Sequence, residues 1–142
     1  ADDLIICGMG GTLMTELVSR AYWLKDPAKR LILQPQSHAE DIRSYLIHNG
    51  FKILYEDACT DSGKLYCAMA VEFTGEEQEF SAAYPYTGEL PKCGKPEAKE
   101  YLIKIKEHLA KKYEAQQDFG SAHEAERLKL IIDETEALID EM

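Results

Sequence analysis

Four apolar residues, Leu4-Ile5-Ile6-Cys7, run without interruption and stop at Gly8-Met9-Gly10-Gly11. A short continuous apolar run bounded by acids and glycine suits a β-strand covered on both faces. Apolar residues then recur as Leu13, Leu17, Ala21 and Leu24, which predicts a helix from Thr12 to about Leu24 with that stripe inward. Strand, tight turn and helix in this order form the repeating unit of α/β proteins, so these first two dozen residues already restrict the fold class.

The unit repeats. RLILQP (30–35) reads as a second buried strand that stops at Pro35, which cannot donate to a sheet ladder. Ser37 and Glu40 stand in capping-box spacing before IRSYLIHNG, and Gly50 supplies a left-handed stop; Ile42, Tyr45, Leu46 and Asn49 mark the inner side of that helix. FKILYEDAC and KLYCAMAVEF follow as two strands around Thr60-Asp61-Ser62-Gly63, a hairpin turn. The order strand, helix, strand, helix, strand, strand implies a parallel sheet with helices on its faces, finished by an antiparallel edge.

Residues 74–95 are acidic, aromatic and rich in Pro and Gly, an irregular connection. A helix from Pro96 to about Gln117 carries Ala98, Leu102, Ile105, Leu109, Tyr113 and Gln116 on one face. Another begins at Ser121, capped through Glu124, with Ala125, Leu128, Ile131, Ile132, Leu138, Ile139 and Met142 inward. With DFGS between them they form a helical hairpin. The chain divides at this point into residues 1–91, an α/β portion, and 92–142, a coiled-coil-like hairpin.

The 142 residues, 45% hydrophobic, suffice for one core with a helical appendage. A formal net charge of −10 opposes general adhesion to DNA or anionic membrane, and no apolar run reaches the length of a membrane span. The four cysteines occur singly, without metal-ligand spacing, which fits reduced thiols and a cytoplasmic chain with no metal site. Charge segregates in the tail. Residues 92–113 hold seven lysines against three glutamates, and residues 114–142 hold nine acids against Arg127 and Lys129. The lysines either pair with the acids of the second helix or form a local surface for RNA phosphates.

The glycines of LIICGMGGTL lie where backbone amides and a ligand can approach closely, because no side chain intervenes. The dinucleotide fingerprint GxGxxG would need glycine at position 13, which is Leu13, so a classical NAD site is not expected. If the first two strands are parallel, Gly8, Met9, Gly10 and Gly11 meet Gln34, Pro35 and Gln36 outside their carboxyl ends, the usual ligand position in open α/β sheets. Two tight strand-to-helix turns without a ligand remain the plain alternative.

ICGMGG, RLILQPQ, the IRSYL helix, NGFKI, a strand containing Glu56, KLY and the terminal hairpin together resemble the bacterial tRNA adenine-N1 methyltransferases of the TrmK type, which act on adenine 22. The resemblance implies the second half of a Rossmann-like class I methyltransferase sheet followed by an antiparallel helical hairpin. It further implies S-adenosylmethionine as cofactor and tRNA as partner. Gly8, Met9, Gly10 and Gly11 would form the wall between cofactor and base, and Gln34 and Gln36 would be the catalytic pair that holds the adenine edge. Gln36 replaces an asparagine usual in the family, and Cys67 follows Tyr66 where a glutamate is common. The family's first cofactor loop, a GSDHAYLP-like segment, has no counterpart here. The chain therefore corresponds to a carboxyl-terminal portion that is expected to be inactive alone and to self-associate through its first strand.

His38, His48, His108 and His123 are scattered without metal-ligand spacing, and no GxSxG or Cys/His signature supports covalent catalysis. Trp23, Tyr84 and Tyr86 either stack on bases or fill space below the loop. A non-enzymatic module that binds RNA or protein through the hairpin is the competing reading.

Overall fold

The computed structural model describes residues 3–142. Four strands, β1 (Asp3–Met9), β2 (Arg30–Pro35), β3 (Phe51–Asp61) and β4 (Lys64–Phe73), form one sheet in the order β1-β2-β4-β3. β1 and β2 are parallel, whereas β4 runs antiparallel to both of its neighbours, β2 and β3. The expected antiparallel edge is thus an antiparallel insertion. The hairpin turn sends β4 back along β3 into the centre, where Met69 and Val71 reach the core, and β3 becomes the edge.

α1 (Gly11–Arg20) and α2 (Ala39–His48) return the chain between parallel strands and pack on each other over one face of the sheet. Leu31 and Leu33 of β2, Met69 and Val71 of β4, and Phe51 and Ile53 of β3 point to that face and are buried. Burial of each such side chain contributes roughly 1.5–3 kcal/mol. α1 buries Met14 and Val18, while Leu13 and Leu17 are 51% and 43% exposed. Its inner face is therefore one residue along from the expected stripe, and the helix stops at Arg20, with Tyr22–Leu24 forming a separate 3-10 turn.

The other face of the sheet is exposed at its two edges. Ile5, Ile32, Ala70 and Tyr55 stand in one row across all four strands. Ile5 at its β1 end is 67% exposed and Tyr55 at its β3 end 63%. The expectation that β1 would be covered on both faces fails because it is an edge strand with helices on one side only.

α2 starts without the expected cap. His38, in the left-handed region (φ 49), occupies the N-cap and makes no side-chain capping bond, its ring nitrogen lying 3.4 Å from the Glu40 carboxylate instead. The Ser37 carbonyl is engaged elsewhere, accepting from Gly11 N at 2.6 Å. The β3–β4 turn is as expected, with Ser62 (φ 53) and Gly63 (φ 78) both left-handed, the signature of a two-residue hairpin.

After β4 a short helix α3 (Tyr84–Thr87) and a 3-10 turn (Leu90–Lys92) lead to α4 (Pro96–Phe119) and α5 (Ala122–Asp140), which pack on each other. Ser121 caps α5 by accepting from Glu124 N at 3.1 Å. The half of the hairpin nearest the sheet, with Ala98, Leu102 and Ile139, joins the main core. Leu109, Leu128 and Ile131 form a second cluster with Ala83.

Candidate functional site

Parallel pairing of β1 and β2 brings the glycine loop and the Gln34-Pro35-Gln36 loop to the same end of the sheet, with Met9 opposite Pro35. A register shift falls between Cys7 and Met9, at Gly8, whose φ of +77 is a conformation that favours glycine. Gln36 N donates to the Met9 carbonyl at 2.9 Å and Gly11 N to the Ser37 carbonyl at 2.6 Å, so the loops are tied by their backbones. Thr12 Oγ1 adds a bond to Asp41 Oδ2 at 2.8 Å, from the first turn of α1 to that of α2.

The glycines differ in what surrounds them. A Cβ on Gly8 would lie 3.9 Å from Gln36 Nε2, so the Gln36 amide faces an open backbone floor. Gly10 is the N-cap of α1, in extended conformation, with Ser37 Oγ 3.0 Å from the position of a Cβ. Gly11 is buried, and a Cβ there would overlap the His38 carbonyl oxygen and stand 2.7 Å from the carbonyl carbon. Gly8 and Gly10 therefore shape a surface, whereas Gly11 permits the two loops to touch. Gln34 stands opposite Cys7 on the face of the sheet away from α1 and α2, half-buried, while Gln36 is exposed beyond the end of β2.

Beneath this end of α2 lies a polar centre that residue patterns did not reveal. Arg43, on the inner face of α2, is fully buried and engages Glu56 of β3, itself 4% exposed. Its Nη2 lies 2.7 Å from Glu56 Oε1, and Nε donates to both carboxylate oxygens at 3.1 and 3.2 Å. Nη1 donates to the carbonyls of Pro85 and Tyr86, each at 3.1 Å, and Glu56 Oε2 accepts from Glu89 N at 2.7 Å. Gly88 passes so close to Glu56 Oε2 that no Cβ fits. The centre thus joins α2, β3 and the chain leading to α4.

Burial by itself would lower the Arg43 pKa, but Glu56, with Cys67 and Tyr101, more than offsets this and holds the guanidinium charged. Burial pushes the Cys67 thiol up, and likewise the Tyr84 and Tyr101 phenols. The sequence shows Glu56 only as a charged residue in a strand and Arg43 only as one polar residue in IRSYL. Their pairing spans thirteen residues and two elements, a relation no periodicity reports.

On α4, Lys106 approaches Glu136 of α5 at 3.9 Å, whereas Arg127 and Lys129 pair within α5, with Glu124 and Asp133. Among the described residues, Lys104, Lys111 and Lys112 form no ion pair, so the two helices are joined mainly by their apolar stripes. Tyr84 stacks on Phe80 at 4.2 Å between ring centroids, and Tyr86 packs against the second apolar cluster.

The model of the family described as tRNA (adenine(22)-N(1))-methyltransferase matches residues 1–140. The tRNA (adenine(22)-N(1))-methyltransferase of Bacillus subtilis is 33% identical over 72 residues, 51% of this chain and 30% of that protein. Its crystal structure superposes with a TM-score of 0.74 at 25% identity, over 99% of this chain and 62% of that one. A candidate tRNA (m1A22) methyltransferase of Streptococcus pneumoniae, solved with S-adenosyl-L-methionine, gives 0.71 at 27% identity, over 93% and 60%. A Rossmann-superfamily protein of Streptococcus agalactiae gives 0.76 at 25% identity, over 98% and 60%. The chain spans about three fifths of these solved relatives and under a third of the B. subtilis protein by sequence alignment.

Proposed function

Because the chain belongs to the tRNA (adenine(22)-N(1))-methyltransferase family, we propose that it supplies the base-facing part of a site that methylates N1 of adenine 22 in tRNA with S-adenosylmethionine. The observation that carries this reading is the meeting of two loops at the end of parallel β1 and β2, where the Gln36 amide faces the Cβ-free floor at Gly8. That floor fits a flat ligand edge, since a backbone in the left-handed region offers its amide plane without a side chain.

Bound S-adenosylmethionine supplies the electrophilic methyl group. Adenine N1 carries an in-plane lone pair, so this chain's task is positioning rather than deprotonation. A glutamine amide can pair with adenine N6 and N7 at once, accepting from the amino group and donating to the ring nitrogen. Such pairing by Gln36, with Gln34 below it, leaves N1 free to face the methyl donor across Gly8, Met9 and Gly10, a wall that Gly11 holds against the second loop. Arg43 and Glu56 act from beneath, by fixing α2 and therefore the loop that carries Gln36.

The hairpin, residues 92–142, packs as a short coiled coil, and the lysines of α4 contact tRNA phosphates. Residues 1–91 form the partial Rossmann-like portion, inactive alone and working in the cytoplasm where tRNA is found. The free edge of β1 and the exposed Ile5 and Tyr55 favour self-association of the isolated chain. A clean monomer in sedimentation across a wide concentration range would remove that element.

The test of the enzymatic reading joins this chain to the remainder of the fold that the relatives contain and follows methyl transfer to an unmodified tRNA transcript. Modification at adenine N1 is expected, read as arrest of primer extension. Gly10→Val, which places a branched side chain on the loop surface, should lower turnover by orders of magnitude in protein shown to be folded. Full turnover by Gly10→Val would detach the glycine loop from the reaction.

A further inference from the structure

We propose that Tyr22 and Trp23 form a stacking platform for an unpaired nucleotide of the RNA, at a place separate from the one that receives the target adenine; this rests on the tRNA reading above. Large aromatic rings ordinarily go to the core, yet Tyr22 is 78% exposed and Trp23 52% exposed, in one 3-10 turn. The third residue of that turn, Leu24, is 1% exposed and anchors it to the core. The rings are therefore displayed from a fixed support, which limits the ordering cost of a ligand that stacks on them.

The surrounding residues select among partners. In a chain of net charge −10, residues 20–30 hold Arg20, Lys25, Lys29 and Arg30 against Asp26 alone. Lys29 Nζ stands 5.5 Å from the centroid of the Trp23 ring. Cations interleaved with exposed rings suit a nucleotide, whose base stacks while its phosphate is neutralised. Arg30 is flanked in the ladder by Asp3 and Glu72, and Lys25 shares a hollow with Glu76 and Glu77. Stacking is accordingly the larger contribution and the salt dependence from this patch is modest.

The patch precedes β2, whereas the glycine loop lies beyond its far end. Six strand residues separate the two by about 20 Å, so the nucleotide held here is not the methylated one. The platform extends the RNA footprint to the opposite end of the sheet.

Trp23 is the single tryptophan of the chain, so its fluorescence reports this patch alone. The 142-residue chain is titrated with a single-stranded oligoadenylate and with an unmodified tRNA transcript, and binding is followed in parallel by anisotropy of labelled RNA. Saturable quenching is expected with both. Trp23→Ala and Tyr22→Ala should each weaken binding about tenfold, while Trp23→Phe retains most of it. The exposure of both rings leaves the fold intact in these variants, checked by circular dichroism. Anisotropy showing RNA bound, with Trp23 emission constant and the Trp23→Ala affinity unchanged, would overturn the platform and leave the tRNA reading standing. Emission that follows protein concentration without RNA, together with loss of association in Trp23→Ala, would reassign the patch to contact between copies of the chain. No binding of either RNA at low salt would overturn the platform, while methyl transfer by the joined fold decides the tRNA reading separately.

Discussion

Gly11→Ala places one methyl group where the two loops of the candidate site touch. The new Cβ would overlap the His38 carbonyl oxygen and stand 2.7 Å from the His38 carbonyl carbon and 2.8 Å from the Ser37 carbonyl oxygen. All three are backbone atoms, so no side chain can swing away and the loops must part. Forced overpacking costs about 1–3 kcal/mol. Lengthening the 2.6 Å bond from Gly11 N to the Ser37 carbonyl removes about 1 kcal/mol more. Alanine in place of glycine at a helix start returns up to about 1 kcal/mol of propensity, leaving a net loss of about 1–3 kcal/mol. Urea unfolding followed by circular dichroism should show the midpoint falling by about 1 M, taking a slope of about 2 kcal/mol per M. Gly10→Ala is the control, since Gly10 has negative φ and faces only the Ser37 hydroxyl at 3.0 Å. Its midpoint should move by a fraction of that amount. A Gly11→Ala protein as stable as the parent would refute the claim that backbone contact, rather than ligand access, requires glycine there.

Arg43→Met leaves the Glu56 carboxylate buried without its cation and should destabilise the chain by about 3–5 kcal/mol. Arg43→Met with Glu56→Leu together should cost less than the sum of the single changes, and additive losses in a double-mutant cycle would contradict coupling through this pair. The hydrogen bond from Lys95 Nζ, 2.8 Å from Asp57 Oδ2, holds the Asp57 carboxyl below the usual carboxylate range. A group lowered on folding stabilises above its unfolded pKa, and that contribution is lost as pH falls through the folded value, below about pH 4. NMR titration should show Asp57 moving upward in Lys95→Ala; an unchanged Asp57 titration would remove Lys95 as the cause. Replacing Lys104, Lys106, Lys111 and Lys112 together should weaken tRNA binding and flatten its salt dependence while leaving cofactor affinity alone, and an unchanged salt slope would assign these lysines to the fold.

Local chemistry alone determined the alternation of strands and helices, the Ser62-Gly63 turn, the Ser121 cap and the meeting place of the two loops. In each case the cause lies within a few residues: positive φ at a turn, an oxygen three residues before an amide, an apolar run cut off by glycine. The meeting of the two candidate loops was legible for the same reason, because parallel strands bring their following loops to one end of a sheet. Tertiary packing decided what local spacing leaves equal. Leu13 with Leu17 and Met14 with Val18 have the same helical spacing, and only contact between α1 and α2 selects the second pair. The hairpin is equally good with β4 at the edge or inserted beside β2, and burial of Met69 and Val71 selects insertion. The Ser37–Glu40 box satisfies a local rule, but the Ser37 backbone is held by Gly11, a contact from 26 residues away. Arg43 and Glu56 show the limit most clearly. A charged residue is read from sequence as surface, and only a fold that surrounds it with a carboxylate and two carbonyls makes its burial favourable.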